Sequence, residues 1–347
     1  MTLSRKSFLV SAALLPAGAA LSACGSSESS GSGASAASSG SSAAAAGTGA
    51  GAGSVTIEDN YGSVEVALPV QRVATTDNRS FEVLADWEVP VVAVPKPLVP
   101  STVTAFDGED VVDLGSHREP DLEALVAAEP DLIISGQRFS QYYEDMKSLN
   151  PDTPIIDLEP REGQPLDTEL ARQVTALGSV FGKEVEAEAL IEGLNTSVSE
   201  AKAAYDGTST VMAVNVSGGE IGYIAPTVGR TFGPVFDLLG LAPALNQPGA
   251  SSDHEGDDVS VEAIAESDPG WIFVLDRDGA VSADEEGYTP AQEVISGNAV
   301  LQNLTAVSSG KVVYAPQDTY TNESIITYTE IFDLIAEAFT TGTGNGQ

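Results

Sequence analysis

EVEAEALIEGLNTSVSEAKAAY, residues 184–205, decides how the rest of the chain is read. Ala187, Ile191, Leu194, Val198, Ala201 and Tyr205 recur at spacings of four and three, which aligns them on one face of a helix. Glu186, Glu192, Asn195, Glu200 and Lys202 fall elsewhere around it. At 1.5 Å per residue, about 22 residues reach roughly 33 Å, about the width of a small domain. Short apolar runs alternating with helical patterns flank this stretch on both sides, so the expectation is one rigid helix between two lobes.

Upstream, apolar runs at 72–75, 91–94, 111–114, 132–135 and 155–158 read as buried strands, with helical patterns at 80–87, 121–128 and 141–149 among them. Downstream, strands are expected at 211–216, 271–275 and 312–315, and helices at 231–239, 261–266, 291–295 and 324–339. Strand–helix alternation implies parallel sheets with helices on their faces. The expected fold class is therefore α/β, with two Rossmann-like lobes at 55–183 and 207–341 bridged by the long helix at 184–206. Any ligand would lie in the interlobe cleft. A disordered tail is expected at 342–347.

One internal echo bears on function. Asp121-Leu122-Glu123-Ala124-Leu125, followed by Glu129-Pro130-Asp131-Leu132-Ile133-Ile134, returns in the same register as Ser260-Val261-Glu262-Ala263-Ile264, followed by Asp268-Pro269-Gly270-Trp271-Ile272-Phe273. In each copy a helix stops at an acidic-Pro turn that feeds a buried strand. Either such units look alike for general reasons, or the two lobes share a build that places Glu123 and Glu262 at the same point on each.

Composition narrows the function. The chain has 347 residues, and a hydrophobic fraction of 42% is enough for the cores of two domains. A formal charge of -36 repels phosphate backbones, which argues against nucleic-acid binding, and any anionic ligand needs a local basic pocket. The one cysteine excludes a disulfide framework, and two histidines, His117 and His254, exclude a multi-histidine metal centre from this chain alone. No Gly-x-Ser-x-Gly elbow, His-Glu-x-x-His pair or Walker loop occurs, so an enzyme is not expected.

Residues 1–24, MTLSRKSFLVSAALLPAGAALSAC, read as an export signal. Arg5 and Lys6 precede an apolar run from Phe8 to about Leu21, too short for a good membrane span. Leu21-Ser22-Ala23-Cys24 looks like a bacterial lipobox, which implies cleavage before Cys24 and lipidation of its thiol. Ser4-Arg5-Lys6-Ser7-Phe8-Leu9 resembles a twin-arginine signal with lysine in the second place, so Sec and twin-arginine export both stay open. Residues 25–54 are almost wholly Gly, Ser and Ala, too polar to fold, and read as a flexible tether. A lipid at Cys24 and a tether place the folded body on the outer face of the cytoplasmic membrane.

Several short stretches occur in a fixed order along residues 55–339. They are Val94-Pro95-Lys96, Glu119-Pro120-Asp121-Leu122-Glu123, Pro130-Asp131-Leu132-Ile133-Ile134-Ser135-Gly136, Leu177-Gly178 with Phe181-Gly182-Lys183, Gly229-Arg230-Thr231-Phe232-Gly233 and Phe273-Val274-Leu275-Asp276-Arg277. In order and spacing the chain resembles the periplasmic-binding-protein-like lipoproteins that deliver ferric siderophores to ABC importers, closest to the branch that binds ferric catecholates. The resemblance implies a shallow cleft that closes little, a ferric siderophore as transported ligand and no permanently bound cofactor. Its implied partners are an ABC permease with its ATPase and, through the lipid anchor, the membrane; a monomer is expected.

A ferric tris-catecholate carries about three negative charges on planar oxygens, and guanidinium answers it with a permanent charge and a planar fork. Arg138 follows the strand expected at 132–135, Arg277 follows the one at 271–275, and Arg230 opens the helix expected at 231–239. Ligands of open parallel sheets bind beyond the carboxyl ends of strands, and helix N-termini favour anions. These three arginines are the expected anion site; the alternative is that each pairs with a surface carboxylate. Lys96 matches a position of the family that faces ligand. Arg79 and Arg118, in rim loops, read as surface arginines. The resemblance also makes His254 and Tyr320 candidates to complete iron coordination, and imidazole and phenolate both suit iron. Glu123 and Glu262 resemble the glutamates that dock onto permease arginines, one per lobe. Open alternatives are haem, cobalamin or ferric citrate in the same fold, or a lipid-anchored sensor or adhesion module.

Overall fold

Val73–Thr75 and Leu132–Ser135 are buried at every position, as strands covered on both faces must be. In the computed structural model, which describes residues 53–247 and 250–346, they pair at the centre of a parallel five-stranded sheet. Its order is Val112–Asp113, Val91–Val94, Val73–Thr75, Leu132–Ser135, Ile155–Asp157. The second sheet runs Glu220–Ile224, Thr210–Ser217, Trp271–Asp276, Val312–Tyr314, with Ala242–Pro243 beside the start of Thr210–Ser217. Every expected strand is present, its ends shifted by no more than one residue. The architecture is the expected α/β one of two sheets and a long helix, with one correction. Glu220–Ile224 is antiparallel to Thr210–Ser217, because Gly218 and Gly219, at φ 61° and 78°, close a hairpin where alternation implied a crossover.

The long helix spans Glu184–Ala204 and buries Ala187, Leu194, Ser197 and Ala201, with Ile191, Val198 and Tyr205 packed at its margins. That is the face read from the sequence. Gly193 in mid-helix costs about 1 kcal/mol relative to alanine, and burying Leu194 contributes about 2 kcal/mol, so packing rather than propensity holds it. It lies against the C-terminal helix Ile325–Thr341 and against Leu166–Phe181, a helix the sequence reading did not include. It is thus one of three packed helices rather than a lone strut. One hydrophobic cluster passes through all three into both sheets, from Leu132 and Ile156 to Phe273 and Val313, and the opposite face of each sheet has its own cluster. Close-packed cores are stiff, so this continuity ties the sheets into one block.

The echoed units agree in detail. Helices Leu122–Ala127 and Val261–Ser267 are both capped by the preceding side chain, Asp121 accepting from Ala124 N and Ser260 from Ala263 N. Glu129 and Asp268, each just before its proline, both take left-handed φ, 46° and 39°.

The tail corrects another expectation. Gly344 N donates to Gly310 O at 2.7 Å, and Asn345 exchanges two bonds with the Tyr314 backbone at 2.8 and 2.9 Å. Residues 342–346 are therefore tied to the exposed edge of Val312–Tyr314, whose unpaired backbone groups supply the partners. The expected export signal, Cys24 and the tether up to residue 52 lie outside the described residues; the first strand, Gly53–Glu58, begins just beyond.

Candidate ligand-binding site

The carboxyl ends of the two sheets are linked by Asp318–Ser324, DTYTNES, in which every residue is buried. Polar groups so placed are costly unless bonded, and apart from Thr319 Oγ1 and Asn322 Oδ1 they are bonded, with contacts to both lobes. Toward the first lobe, Asn322 Nδ2 and Ser324 Oγ each donate to Glu82 Oε2 at 2.9 Å, Asn78 Nδ2 donates to Thr321 O at 2.8 Å, and Thr102 Oγ1 donates to Asp318. Toward the second, Arg230 Nη2 donates to Tyr320 O at 2.9 Å and Thr231 Oγ1 to Glu323 Oε1 at 2.7 Å.

Three guanidiniums gather on the ring of Tyr320, itself 4% exposed: Arg230 at 4.1 Å from the centroid, Arg138 at 5.2 Å and Arg277 at 5.3 Å. All are within cation–π range, where a desolvated pair contributes up to about 2 kcal/mol. Arg138 comes from the tight turn Gln137–Tyr142 after strand Leu132–Ser135, and Arg277 is the first residue of the short helix Arg277–Val281 after Trp271–Asp276. Arg230 reaches in from the loop ahead of helix Gly233–Leu239. Gly229 is needed there, because a Cβ would lie 2.5 Å from Ala225 O and 2.6 Å from Ala225 N. The sequence placed these three arginines at sheet ends in both lobes, and the structure brings them together.

Like charges this close repel, and burial followed by the Arg230 cation pushes the Arg138 guanidinium below its ordinary value. Arg277 Nη1 is balanced by Asp278 at 3.2 Å and Ser217 Oγ at 3.1 Å. The central counter-charge is Glu323, whose Oε2 accepts from Gln137 Nε2 at 2.9 Å, Arg230 Nη2 at 3.2 Å and Arg79 Nη2 at 3.4 Å. Burial alone would raise this carboxyl; the Arg230 and Arg79 cations overcome burial and hold it down at about 2. Several buried guanidinium nitrogens still have no partner: Arg79 Nε and Nη1, Arg138 Nη2, Arg230 Nε and Arg277 Nε. Buried donors are rarely left so, and donors grouped on neighbouring arginines suit an oxygen-rich anion.

The other sequence candidates stand apart from this cluster. Lys96 Nζ donates to Gly108 O at 2.8 Å and Asp107 O at 3.4 Å, so it ties down its own loop. His254 is exposed, its ring 3.6 Å from Asp253 and 3.7 Å from Glu255; Asn215 Nδ2 donates to His254 O at 3.0 Å, which sets this loop against strand Thr210–Ser217 of the second lobe. Glu123 and Glu262 are exposed at the second position of their helices and have no charged partner among the described residues. Arg118 is exposed as expected. Arg79 is not: its side chain is 11% exposed and paired to Glu323, because its loop folds under Asp318–Ser324 rather than along a rim. Glu323 and Gln137 were also missed. Among the described residues, no group of three or more His, Cys, Asp or Glu is placed to hold a metal ion.

The chain is similar to several known proteins. The ferric-anguibactin-binding protein FatB of Vibrio anguillarum is 26% identical over 290 residues, 82% of this chain and 87% of FatB. The petrobactin-binding protein YclQ of Bacillus subtilis is 26% identical over 231 residues, 66% of this chain and 69% of YclQ. The crystal structure of the periplasmic catecholate-siderophore-binding protein VctP of Vibrio cholerae matches with a TM-score of 0.72 at 26% identity, over 82% of this chain and 100% of that one. The family model for periplasmic binding proteins matches residues 73–319, a span that takes in both sheets and all three arginines. The chain belongs to the periplasmic binding protein family.

Proposed function

We propose that this protein captures an anionic ferric siderophore, of the catecholate type, between its lobes and delivers it to an ABC permease for iron uptake. The observation that carries this reading is the convergence of Arg138, Arg230 and Arg277, from both lobes, on Tyr320, with guanidinium donors to spare. A ferric tris-catecholate presents about three negative charges on paired oxygens, which planar guanidinium forks meet two at a time. The ligands named for FatB, YclQ and VctP support the same class.

In this reading Arg138, Arg230 and Arg277 bind the anion, while Lys96 and His254 stand at the rim. The Tyr320 phenol, and His254 if its loop moves in, can approach iron where a siderophore leaves coordination positions open. Glu123 and Glu262 dock onto basic residues of the permease, one per lobe. Cys24 carries the lipid that holds the protein at the outer face of the cytoplasmic membrane. The protein works as a monomeric carrier and not as a catalyst; the iron is cargo.

The test is fluorescence titration of the purified protein and its Arg138→Gln variant with iron(III) tris-catecholate, ferric citrate, haem and cobalamin. Arg138 is chosen because it has no ion pair among the described residues, whereas Arg230 also holds Glu323. The expected result is saturable quenching by the tris-catecholate, weakened at least roughly tenfold in the variant. Binding of haem or cobalamin alone would overturn the arginine site. Silence toward all four would overturn the carrier reading in favour of a sensor or adhesion module.

A further inference from the structure

Glu323 is a carboxylate at the centre of a site suited to anions, which by charge alone works against binding. Its side chain is 2% exposed and accepts from four donors: Oε1 from Thr231 Oγ1 at 2.7 Å, and Oε2 from Gln137 Nε2 at 2.9 Å, Arg230 Nη2 at 3.2 Å and Arg79 Nη2 at 3.4 Å. Arg79 and Gln137 come from loops after strands of the first sheet, Thr231 and Arg230 from the second lobe, so one oxygen joins an arginine from each side. Only one terminal nitrogen of each guanidinium is used on Glu323. Arg79 Nε and Nη1 and Arg230 Nε stay buried without partners. A guanidinium already fixed at one nitrogen gives up less rotamer freedom when its other N–H groups engage an anion.

We propose that Glu323 is a positioning residue of the anion site: it fixes Arg79 and Arg230 before ligand arrives, and the order it imposes outweighs the negative charge it adds. This rests on the proposed function and brings Arg79, read as a surface residue from the sequence, into the same site. The two possible effects of Glu323 differ in sign. As a charge alone, its neutralisation would raise the affinity for an anion. As a positioning group, its neutralisation lowers that affinity.

The experiment is titration of iron(III) tris-catecholate into the full-length protein and its Glu323→Gln, Arg230→Gln and double variants, with the melting temperature of each. Glu323→Gln is expected to bind roughly tenfold more weakly than wild type, but to weaken the Arg230→Gln background by no more than about threefold, because one of the two arginines it holds is gone. Unchanged or tighter binding by Glu323→Gln overturns the proposal. So does an equal loss in both backgrounds, the mark of a merely structural role. Should Glu323→Gln not fold, Thr231→Val removes one bond to Oε1 and keeps every charge. It is expected to weaken binding about threefold, and unchanged affinity there overturns the proposal too. A wild-type protein that ignores the tris-catecholate would overturn the function itself, whereas wild-type binding with an indifferent Glu323→Gln overturns this inference alone.

Discussion

Arg138 and Arg277 flank the same phenol ring at nearly equal distances, 5.2 and 5.3 Å from the centre of Tyr320. Each follows a central strand of its own sheet, Leu132–Ser135 or Trp271–Asp276, and each strand is fed by one of the two echoed helix–turn units. The interval from Glu123 to Arg138 along the chain equals that from Glu262 to Arg277. The echo therefore extends in chain spacing past the strands to the arginines, although Arg138 sits within the turn Gln137–Tyr142 and Arg277 opens the helix Arg277–Val281, and the fold delivers one guanidinium from each side.

Their substitutions should separate binding from stability. Arg138→Gln and Arg277→Gln are each expected to weaken iron(III) tris-catecholate binding by about 1.5–3 kcal/mol, the usual worth of a hydrogen bond to a charged group. Arg138→Gln should change the melting temperature little, since the cation–π contact it loses with Tyr320 is offset by relief of repulsion with Arg230. Arg277→Gln should lower it, since Asp278 and Ser217 lose their partner. Calorimetric titration and thermal denaturation check both, and normal affinity in both variants would remove them from the site.

Tyr320 can be dissected by keeping or removing its ring. Tyr320→Phe preserves the aromatic face under the guanidiniums and should fold with stability close to wild type. Tyr320→Ala opens a cavity at a buried site and should cost about 3–5 kcal/mol. If the phenol joins the iron of a chelate with fewer than six donors, an iron(III) bis-catecholate bound to wild type gains a visible charge-transfer band that Tyr320→Phe lacks. Identical spectra from the two proteins would rule that contact out.

Why some of this was readable from sequence and some was not follows from where each signal resides. Val73–Thr75 and Leu132–Ser135 announce themselves because strands buried on both faces carry unbroken apolar runs, here Val73-Ala74 and Leu132-Ile133-Ile134, and arginines placed just past strands of this type converge by topology. Glu323 carries no such mark. Its burial is decided by Arg79, 244 residues away, and by the turns of DTYTNES, which has no periodicity. Helix Leu166–Phe181 was obscured because its buried stripe of Leu166, Leu170, Val174 and Leu177 also contains Glu169 and Gln173, polar residues satisfied only in the folded protein.

Docking predicts a loss of transport without a loss of binding. Glu123→Arg and Glu262→Arg reverse exposed charges that have no charged partner among the described residues, so each should shift stability by no more than about 0.5 kcal/mol. Ligand affinity should be unchanged, while uptake through a reconstituted permease falls, most in the double variant. Normal uptake by the double variant would place the permease contact elsewhere.

Glu169 makes the stability of the first lobe depend on acid. Its side chain is fully buried, and its Oε1 accepts from Arg161 Nη2 at 2.6 Å while Oε2 accepts from Arg161 Nε at 3.0 Å and Arg172 Nε at 3.1 Å. Burial would raise the carboxyl, but the bonds from Arg161 and Arg172 prevail and hold it at about 2. In the unfolded chain the same group titrates near 4.3. A folded value below the unfolded one means that the unfolded chain takes up the proton first as pH falls. The ion-paired form therefore contributes its full stabilisation above about pH 4.3 and loses it progressively toward pH 2. Because Arg161 is half exposed, solvent screening reduces the cost of losing the pair, and Glu169→Gln should destabilise by about 2–3 kcal/mol at pH 7. Urea unfolding of wild type and variant at pH 7, 4 and 3 isolates this carboxyl from the other titrating groups, Glu323 among them. The gap between the two proteins should narrow as pH drops, and a gap that stays constant would assign the effect to packing around residue 169 rather than to its charge.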